Sequence, residues 1–281
     1  RGSMVEPNIV FMIDDSGSMV VDYLYQEARS AAWNGVNLNI SSGYGVQPNT
    51  QGYAKCSPQI NQLYYDPSYY YQPPFNNQGV RVAPANASTV LSSWASSGPC
   101  KDSSGTPFVA IYKGGNGPYW DGTNVLNITA SYIAPLTYIK NDGRTFFNPA
   151  TNVKYPDRTD CAGSTCTYAE ELQNFANWYT WYRTRLLMAQ TSIKEAFANL
   201  PANFRLGWGK LNNLADNGKM TEGVTTYNDA KRIKFIDFIN GIGNGGDTPS
   251  RLALNTVGKY YQRKDTNGPW SNTPLADTTV I

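Results

Sequence analysis

The feature that most constrains this chain is a short apolar run followed at once by a loop of oxygen-bearing side chains. Residues 8–13 are Asn-Ile-Val-Phe-Met-Ile, and a continuous apolar run of this length predicts a strand buried on both faces, as in a parallel sheet. Residues 14–18 are Asp-Asp-Ser-Gly-Ser. A polar loop directly after a buried strand predicts an open α/β fold that binds a ligand at the carboxyl end of its strands.

The spacing of this loop predicts a metal site. Asp14, Ser16 and Ser18 are two residues apart, so a tight turn at Gly17 can direct their oxygens to one point. One carboxylate and two hydroxyls suit a hard divalent cation, Mg²⁺, Mn²⁺ or Ca²⁺. Such a cation keeps enough charge to take a carboxylate from a partner as its last ligand. The alternative is a metal-free turn held by Asx and Ser hydrogen bonds.

A second loop offers a fourth ligand. Residues 244–249 are Asn-Gly-Gly-Asp-Thr-Pro, and Thr248 precedes a predicted helix. Its hydroxyl either caps that helix before Pro249 or reaches the same cation. The combination of this loop with Asp-x-Ser-x-Ser favours the cation. Asp15 is expected to point away from it.

The absence of His excludes Ser-His-Asp and Cys-His catalysis and every His-ligated metal site. No nucleophile–base pair is recognisable, so we predict a binding protein and not an enzyme. The net charge is only +2 and no basic block stands out, which argues against nucleic-acid binding. No apolar run approaches the ~18 residues of a membrane span.

The four cysteines form an even set without zinc spacing. Three disulfide pairings are open, and four free thiols in a reducing compartment are the alternative. We favour Cys56–Cys100 and Cys161–Cys166, because each pair falls within one loop-rich segment. Disulfides would indicate an oxidising compartment, the periplasm or the cell exterior.

The composition divides the chain. Residues 21–166 are rich in Tyr, Asn, Gly, Pro and Ser and hold all four cysteines, so we interpret them as a large, loop-rich, disulfide-bonded insertion after the first strand, with aromatic cores of its own. Residues 4–20 then carry the first strand and the metal loop, and residues 167–281 carry the remainder of the same domain. Residues 1–3, before Met4, are interpreted as an expression scar.

Regular structure is predicted again from the capping box Thr167-Tyr168-Ala169-Glu170. Apolar residues then recur every three or four positions to Leu200, which predicts one long helix or two shorter ones. Strand and helix alternate afterwards, as in an α/β fold. The further predicted elements are strands at residues 106–112 and 204–211 and helices at residues 228–242 and 248–261.

The loop at residues 14–18 resembles the metal-ion-dependent adhesion site of von Willebrand factor A domains. Three longer segments resemble the PilC/PilY family of type IV pilus tip proteins, and they occur in the family's order. The segment Asn-Phe-Ala-Asn-Trp-Tyr-Thr-Trp-Tyr-Arg-Thr-Arg is the most specific. The three segments are residues 61–67, 174–185 and 245–254.

The resemblance implies a von Willebrand factor A (Rossmann-like) domain of a large secreted adhesin, with metal ligands at Asp14, Ser16, Ser18 and Thr248. Such a protein would lie with minor pilins at the pilus tip, on the bacterial cell surface. It would support pilus biogenesis, twitching, surface sensing and attachment to a host or matrix protein that presents a carboxylate. The alternative is a structural module that binds minor pilins, with the metal loop secondary.

One motif of these domains is absent from the chain. The resemblance implies a further Asp from a Thr-Asp-Gly loop after a later strand, and no such loop is present. By the family's order that strand would follow Ile281. We therefore expect the C-terminal strands to be missing from this chain and the cation to be held more weakly.

Overall fold

The computed structural model describes the chain in several ranges. These are residues 6–22, 32–33, 36–37, 56, 58, 61–98, 100–101, 104–109, 137–138, 151–212 and 220–270. The predicted expression scar at residues 1–3 lies outside them. In chain order the elements are β1 (Asn8–Ile13), β2 (Ala32–Trp33), β3 (Val36–Asn37), α1 (Ala87–Ser97), β4 (Phe108–Val109), β5 (Thr137–Tyr138), α2 (Tyr168–Trp181), α3 (Arg185–Phe197), β6 (Arg205–Lys210), β7 (Glu222–Thr226), α4 (Asp229–Asn240) and α5 (Ser250–Gln262).

The chain divides into two compact units. The first unit comprises Arg1–Val21, Pro74–Val82 and Ala189–Ile281, and the second comprises Asp22–Pro73 and Ala83–Met188. The second unit therefore extends past the predicted insertion boundary at residue 166 and includes α2. The reason is that one face of α2, with Phe175 and Trp178, packs into the core of that unit.

The first unit is built on a mixed sheet with the order β1-β6-β7. β6 runs parallel to β1 on one side and antiparallel to β7 on the other. The expectation that β1 is buried on both faces is wrong, since Ile13 is its one buried residue and Ile9 is 40% exposed. Among the described residues β1 is paired on one side alone, which explains its exposure. The buried strand is β6, with five of six residues buried.

Two helices cover this sheet. α4 buries Phe235, Ile236 and Ile239 completely, and the ring of Phe235 lies 5.0 Å from that of Trp208 on β6. From α5, the buried Tyr260 hydroxyl accepts the backbone N–H of Val224 on β7 at 2.7 Å. The sequence predicted both helices, as well as β1 and β6, but not the antiparallel β7.

The second unit has an aromatic core, as the sequence indicated. Tyr64, Tyr65, Trp94, Phe175 and Trp178 are buried together. Trp94 comes from α1, a helix that the sequence did not predict. Two disulfides join this unit in the pairing favoured above, Cys56–Cys100 and Cys161–Cys166, and no free cysteine occurs in the described residues.

The long predicted helix is two helices. α2 ends at Trp181 and α3 begins at Arg185. The Thr184 hydroxyl accepts the backbone N–H of Leu187 at 3.2 Å, so a side-chain cap starts the second helix. Of the strand predicted at residues 106–112, Phe108–Val109 is a strand, and residues 110–112 lie outside the described ranges.

The capping box that starts α2 is formed in both directions. The Thr167 hydroxyl accepts the Glu170 backbone N–H at 3.3 Å, and the Glu170 carboxylate accepts the Thr167 N–H at 2.7 Å. We expect Thr167→Ala to lower the free energy of unfolding by about 1 kcal/mol, measured by urea titration. Thr165→Ala, in the preceding loop, is the control, and an equal loss in both variants would contradict the capping role.

Candidate metal-binding site

The candidate site lies where two parallel strands end. Asp14 and Asp15 follow β1, and Asn212 follows β6 by two residues. The backbone N–H of Leu211 donates to the Ile13 carbonyl at 2.9 Å, which extends the pairing just beyond β6. Since β1 and β6 are parallel, both chain segments leave the sheet at the same edge, where open α/β sheets bind ligands.

The loop after β1 brings two of the three predicted ligands into direct contact and fixes the third through the backbone. The Ser16 and Ser18 hydroxyls are hydrogen-bonded at 3.1 Å, and Asp14 Oδ1 accepts the Ser16 backbone N–H at 2.8 Å. A 3₁₀ turn, Gly17–Val20, follows. Ser16 is buried, whereas Asp14 and Ser18 are half-buried.

This geometry fits a small divalent cation. Two adjacent ligands of an octahedral Mg²⁺, each about 2.1 Å from the ion, are about 3.0 Å apart, close to the observed separation of the two hydroxyls. The Asx hydrogen bond to Ser16 uses Oδ1 of Asp14 and does not involve Oδ2. The metal-free turn and the cation site are therefore compatible, since the same bond that shapes the turn orients the carboxylate.

Thr248 lies on a loop held directly against the loop of Asp14. The Gly245 N–H donates to the Asp15 carbonyl at 2.9 Å, and the Gly17 N–H donates to the Gly246 carbonyl at 3.2 Å. Pro249 occupies the N-cap position of α5, and no side chain caps that helix. The helix-cap alternative for Thr248 is thus not observed, and its side chain is exposed.

Asp15 is turned toward the end of β6. Its buried Oδ1 accepts both the backbone N–H of Asn212, at 2.8 Å, and the side-chain Nδ2–H, at 3.0 Å. Its Oδ2 lies 3.2 Å from the Lys210 ammonium. Asn212 was not among the predicted residues, and the one signal for it is a polar side chain shortly after a predicted strand.

A shallow depression opens beside these residues. It measures about 350 Å³ and is lined by Asp15, Lys210, Asn212 and the loop Gly243–Gly246. Three glycines leave that side of the depression almost free of side chains. In the described part of the chain, no cluster of three or more Asp, Glu, His or Cys could hold a metal, so a cation here would depend on one carboxylate and on neutral hydroxyls.

The first unit is therefore a mixed α/β sheet domain with a candidate ligand-binding edge at the carboxyl ends of its parallel strands. The whole chain is similar to a known group of pilus proteins. It is 27% identical over 289 residues to the type IV pilus biogenesis factor PilY1 of Pseudomonas aeruginosa strain PAK, covering 98% of this chain and 22% of that protein. The PilY1 of strain PAO1 is 28% identical over 299 residues, with the same coverage.

These similarities confirm the resemblance to the PilC/PilY family that the sequence motifs indicated. The chain spans about a fifth of the length of these relatives. No family model and no solved structure matches it. In the described ranges, none of the helices has the length and apolar character that a membrane crossing requires.

Proposed function

We propose that this chain contains a metal-dependent binding domain of the von Willebrand factor A type, within a type IV pilus protein. The observation that carries the proposal is the pair of hydroxyls of Ser16 and Ser18, 3.1 Å apart beside the oriented Asp14 carboxylate. The position of Thr248 on the adjoining loop supports it. The relatives named as pilus biogenesis factors support the pilus assignment.

The sheet of the first unit supports the fold part of the proposal. Doubly wound α/β sheets often carry an antiparallel edge strand on an otherwise parallel sheet, and β7 has this relation to β6. The candidate ligands follow β1, the strand parallel to β6. A Rossmann-like sheet with its ligand site at this edge is the arrangement proposed.

Asp14, Ser16, Ser18 and Thr248 would hold Mg²⁺, Mn²⁺ or Ca²⁺. The bound cation would supply an attraction for a partner's carboxylate, because a single protein carboxylate compensates only one of its two positive charges. The depression lined by Asp15 and Lys210 adjoins the candidate ligand Asp14 through the chain. The partner would be a host or matrix protein with an exposed acidic side chain, and the location would be the pilus tip at the cell surface.

A binding role is proposed in preference to catalysis or to docking through aromatic side chains. No recognisable nucleophile–base pair accompanies the candidate ligands. Several described aromatic side chains of the second unit, such as Tyr65, Trp94 and Trp178, are buried in its core, whereas Tyr69 is 54% exposed. The buried side chains offer no surface for the alternative module that binds minor pilins.

Calorimetric titration with Mn²⁺ and Mg²⁺ tests the proposal. We expect the unaltered chain to bind one cation and Asp14→Ala to lose that binding, since the substitution removes the one carboxylate of the ligand set. Asp237→Ala, on the exposed face of α4 in the same unit, is the matched control and should bind normally. Equal binding by Asp14→Ala and the unaltered chain, or no binding by either, would count against the metal site.

A further inference from the structure

We propose that Asn212 and Asp15 act as a clamp that positions the Thr248 loop against the metal loop and thereby sets the cation affinity. Neither residue is among the four candidate ligands. The inference rests on the proposed metal function and adds positioning residues to it. Its basis is a set of hydrogen bonds that joins three segments distant in sequence.

The Asn212 side chain bridges the two loops directly. Its Nδ2 donates one N–H to Asp15 Oδ1 at 3.0 Å and the other to the Asp247 carbonyl at 2.9 Å. Asp247 immediately precedes Thr248, and Asp15 immediately follows Asp14. The Asn212 amide therefore connects Asp15 to Asp247, and each of these residues is adjacent in sequence to a candidate ligand.

Asp15 completes the clamp from the opposite side. Its carboxylate is anchored to the end of β6 by the Asn212 backbone N–H and the Lys210 ammonium. Its carbonyl accepts the Gly245 N–H. Because Asp15 is 3% exposed, its carboxylate is largely shielded from water, and removal of the Asn212 amide takes away one of its three polar contacts.

Gly246 shows how tightly the loop fits this amide. Its backbone has φ +80°, and a Cβ built there would lie 2.5 Å from Asn212 Oδ1. Any other residue would therefore be strained in its backbone and would displace the amide. Gly243, in the same loop, has nothing within 4 Å of a built Cβ.

The clamp matters because three of the four candidate ligands are neutral hydroxyls. Such a site gains little from charge, so its affinity depends on how precisely the hydroxyls are held. Loss of a residue that orients a metal ligand lowers metal affinity by about 10- to 100-fold. We expect Asn212→Ala to have an effect of this size on Mn²⁺ binding.

The experiment combines Mn²⁺ calorimetry with thermal unfolding of the metal-free chain, for the unaltered protein and for Asn212→Ala, Thr248→Ala and the double variant. The clamp predicts weaker binding in each single variant. It also predicts that Asn212→Ala adds nothing further when Thr248 is already Ala, because the amide acts through that side chain. A merely structural role would lower the melting temperature of the metal-free chain without this non-additivity. Asn77→Ala, which removes an exposed amide contact in the same unit, is the matched control.

Gly246→Ala gives a second route that removes no hydrogen-bonding group. It should weaken Mn²⁺ binding, whereas Gly243→Ala should not. Unchanged affinity in both Asn212→Ala and Gly246→Ala, or fully additive losses with Thr248→Ala, would overturn the clamp while leaving the metal site in place. If Asp14→Ala binds as the unaltered chain does, or if the unaltered chain binds no Mn²⁺, the proposed function fails and the clamp fails with it.

Discussion

Replacing Glu171 by Ala is expected to lower the free energy of unfolding of the second unit by about 3 kcal/mol, because it leaves a buried donor of Arg158 and one of Tyr65 without their acceptor. Glu171 and Arg158 are at most 1% exposed. Arg158 Nη1 donates to Glu171 Oε2 at 2.5 Å. Burial raises the pKa of the Glu171 carboxyl, and the positive charge of Arg158 opposes that rise.

The cost extends beyond this ion pair because the carboxylate has a second partner. The buried Tyr65 hydroxyl donates to Glu171 Oε1 at 2.5 Å and itself accepts the Asn174 Nδ2–H at 3.1 Å. Arg158 retains Asp160 and the Pro67 carbonyl as acceptors. Truncation at Glu171 therefore leaves a phenol without an acceptor and one guanidinium N–H without a carboxylate, both inside the core.

Urea titration followed by tryptophan fluorescence measures this effect. Glu170→Ala, one residue earlier and at the surface end of α2, should cost no more than about 1 kcal/mol as a lost cap. The double variant Arg158→Met/Glu171→Leu removes the guanidinium donors together with the Glu171 acceptor and should recover part of the loss, while Asp160 loses its ion-pair partner. A double variant as unstable as Glu171→Ala would contradict the explanation by an unsatisfied guanidinium N–H.

Glu171 also shows where prediction from sequence stops. Next to Glu170 in a capping box, it has the pattern of an exposed first-turn acid. Its partner Tyr65 is 106 residues away in the chain, and nothing in the spacing near Glu171 identifies it. The capping box itself could be predicted, because all of its contacts lie within four residues.

The secondary structure could likewise be predicted where it depends on local contacts, and not where it depends on distant ones. β1, β6, α4 and α5 could be predicted from apolar runs, periodicity and helix caps, which are local signals. α1 lies in a Ser-rich segment and depends on the burial of Val90 and Trp94 in the aromatic core. β7 depends on antiparallel pairing with β6, and this contact has no local sequence signature.

In the candidate site, the motif Asp14–Ser18 could be predicted because it occupies five consecutive residues. Asn212 could not, since its bond to Asp15 spans 197 residues. Thr248 could be predicted from the Gly-Gly-Asp-Thr-Pro pattern, but the two backbone hydrogen bonds that hold its loop against the metal loop could not. Candidate ligands can thus be predicted from a sequence before the residues that position them.

Removing the Cys56–Cys100 disulfide is expected to have the other large effect. Both half-cystines are fully buried in the aromatic core and are 44 residues apart. In the chain-entropy account, a cross-link over a loop of this length contributes about 4 kcal/mol by restricting the unfolded chain. The Cys161–Cys166 bond, with a separation of 5 residues, should contribute about 2 kcal/mol.

The two bonds therefore make a matched pair within one unit. We expect Cys56→Ala/Cys100→Ala to lose about 2 kcal/mol more in the free energy of unfolding than Cys161→Ala/Cys166→Ala, measured by urea titration without reductant. With excess reductant, the unaltered chain loses both cross-links. It should then be less stable than either double variant measured without reductant, because each of those keeps one disulfide. A larger loss from the short loop would contradict the entropic account. A reductant-sensitive second unit would require an oxidising compartment, as the proposed location at the cell surface provides.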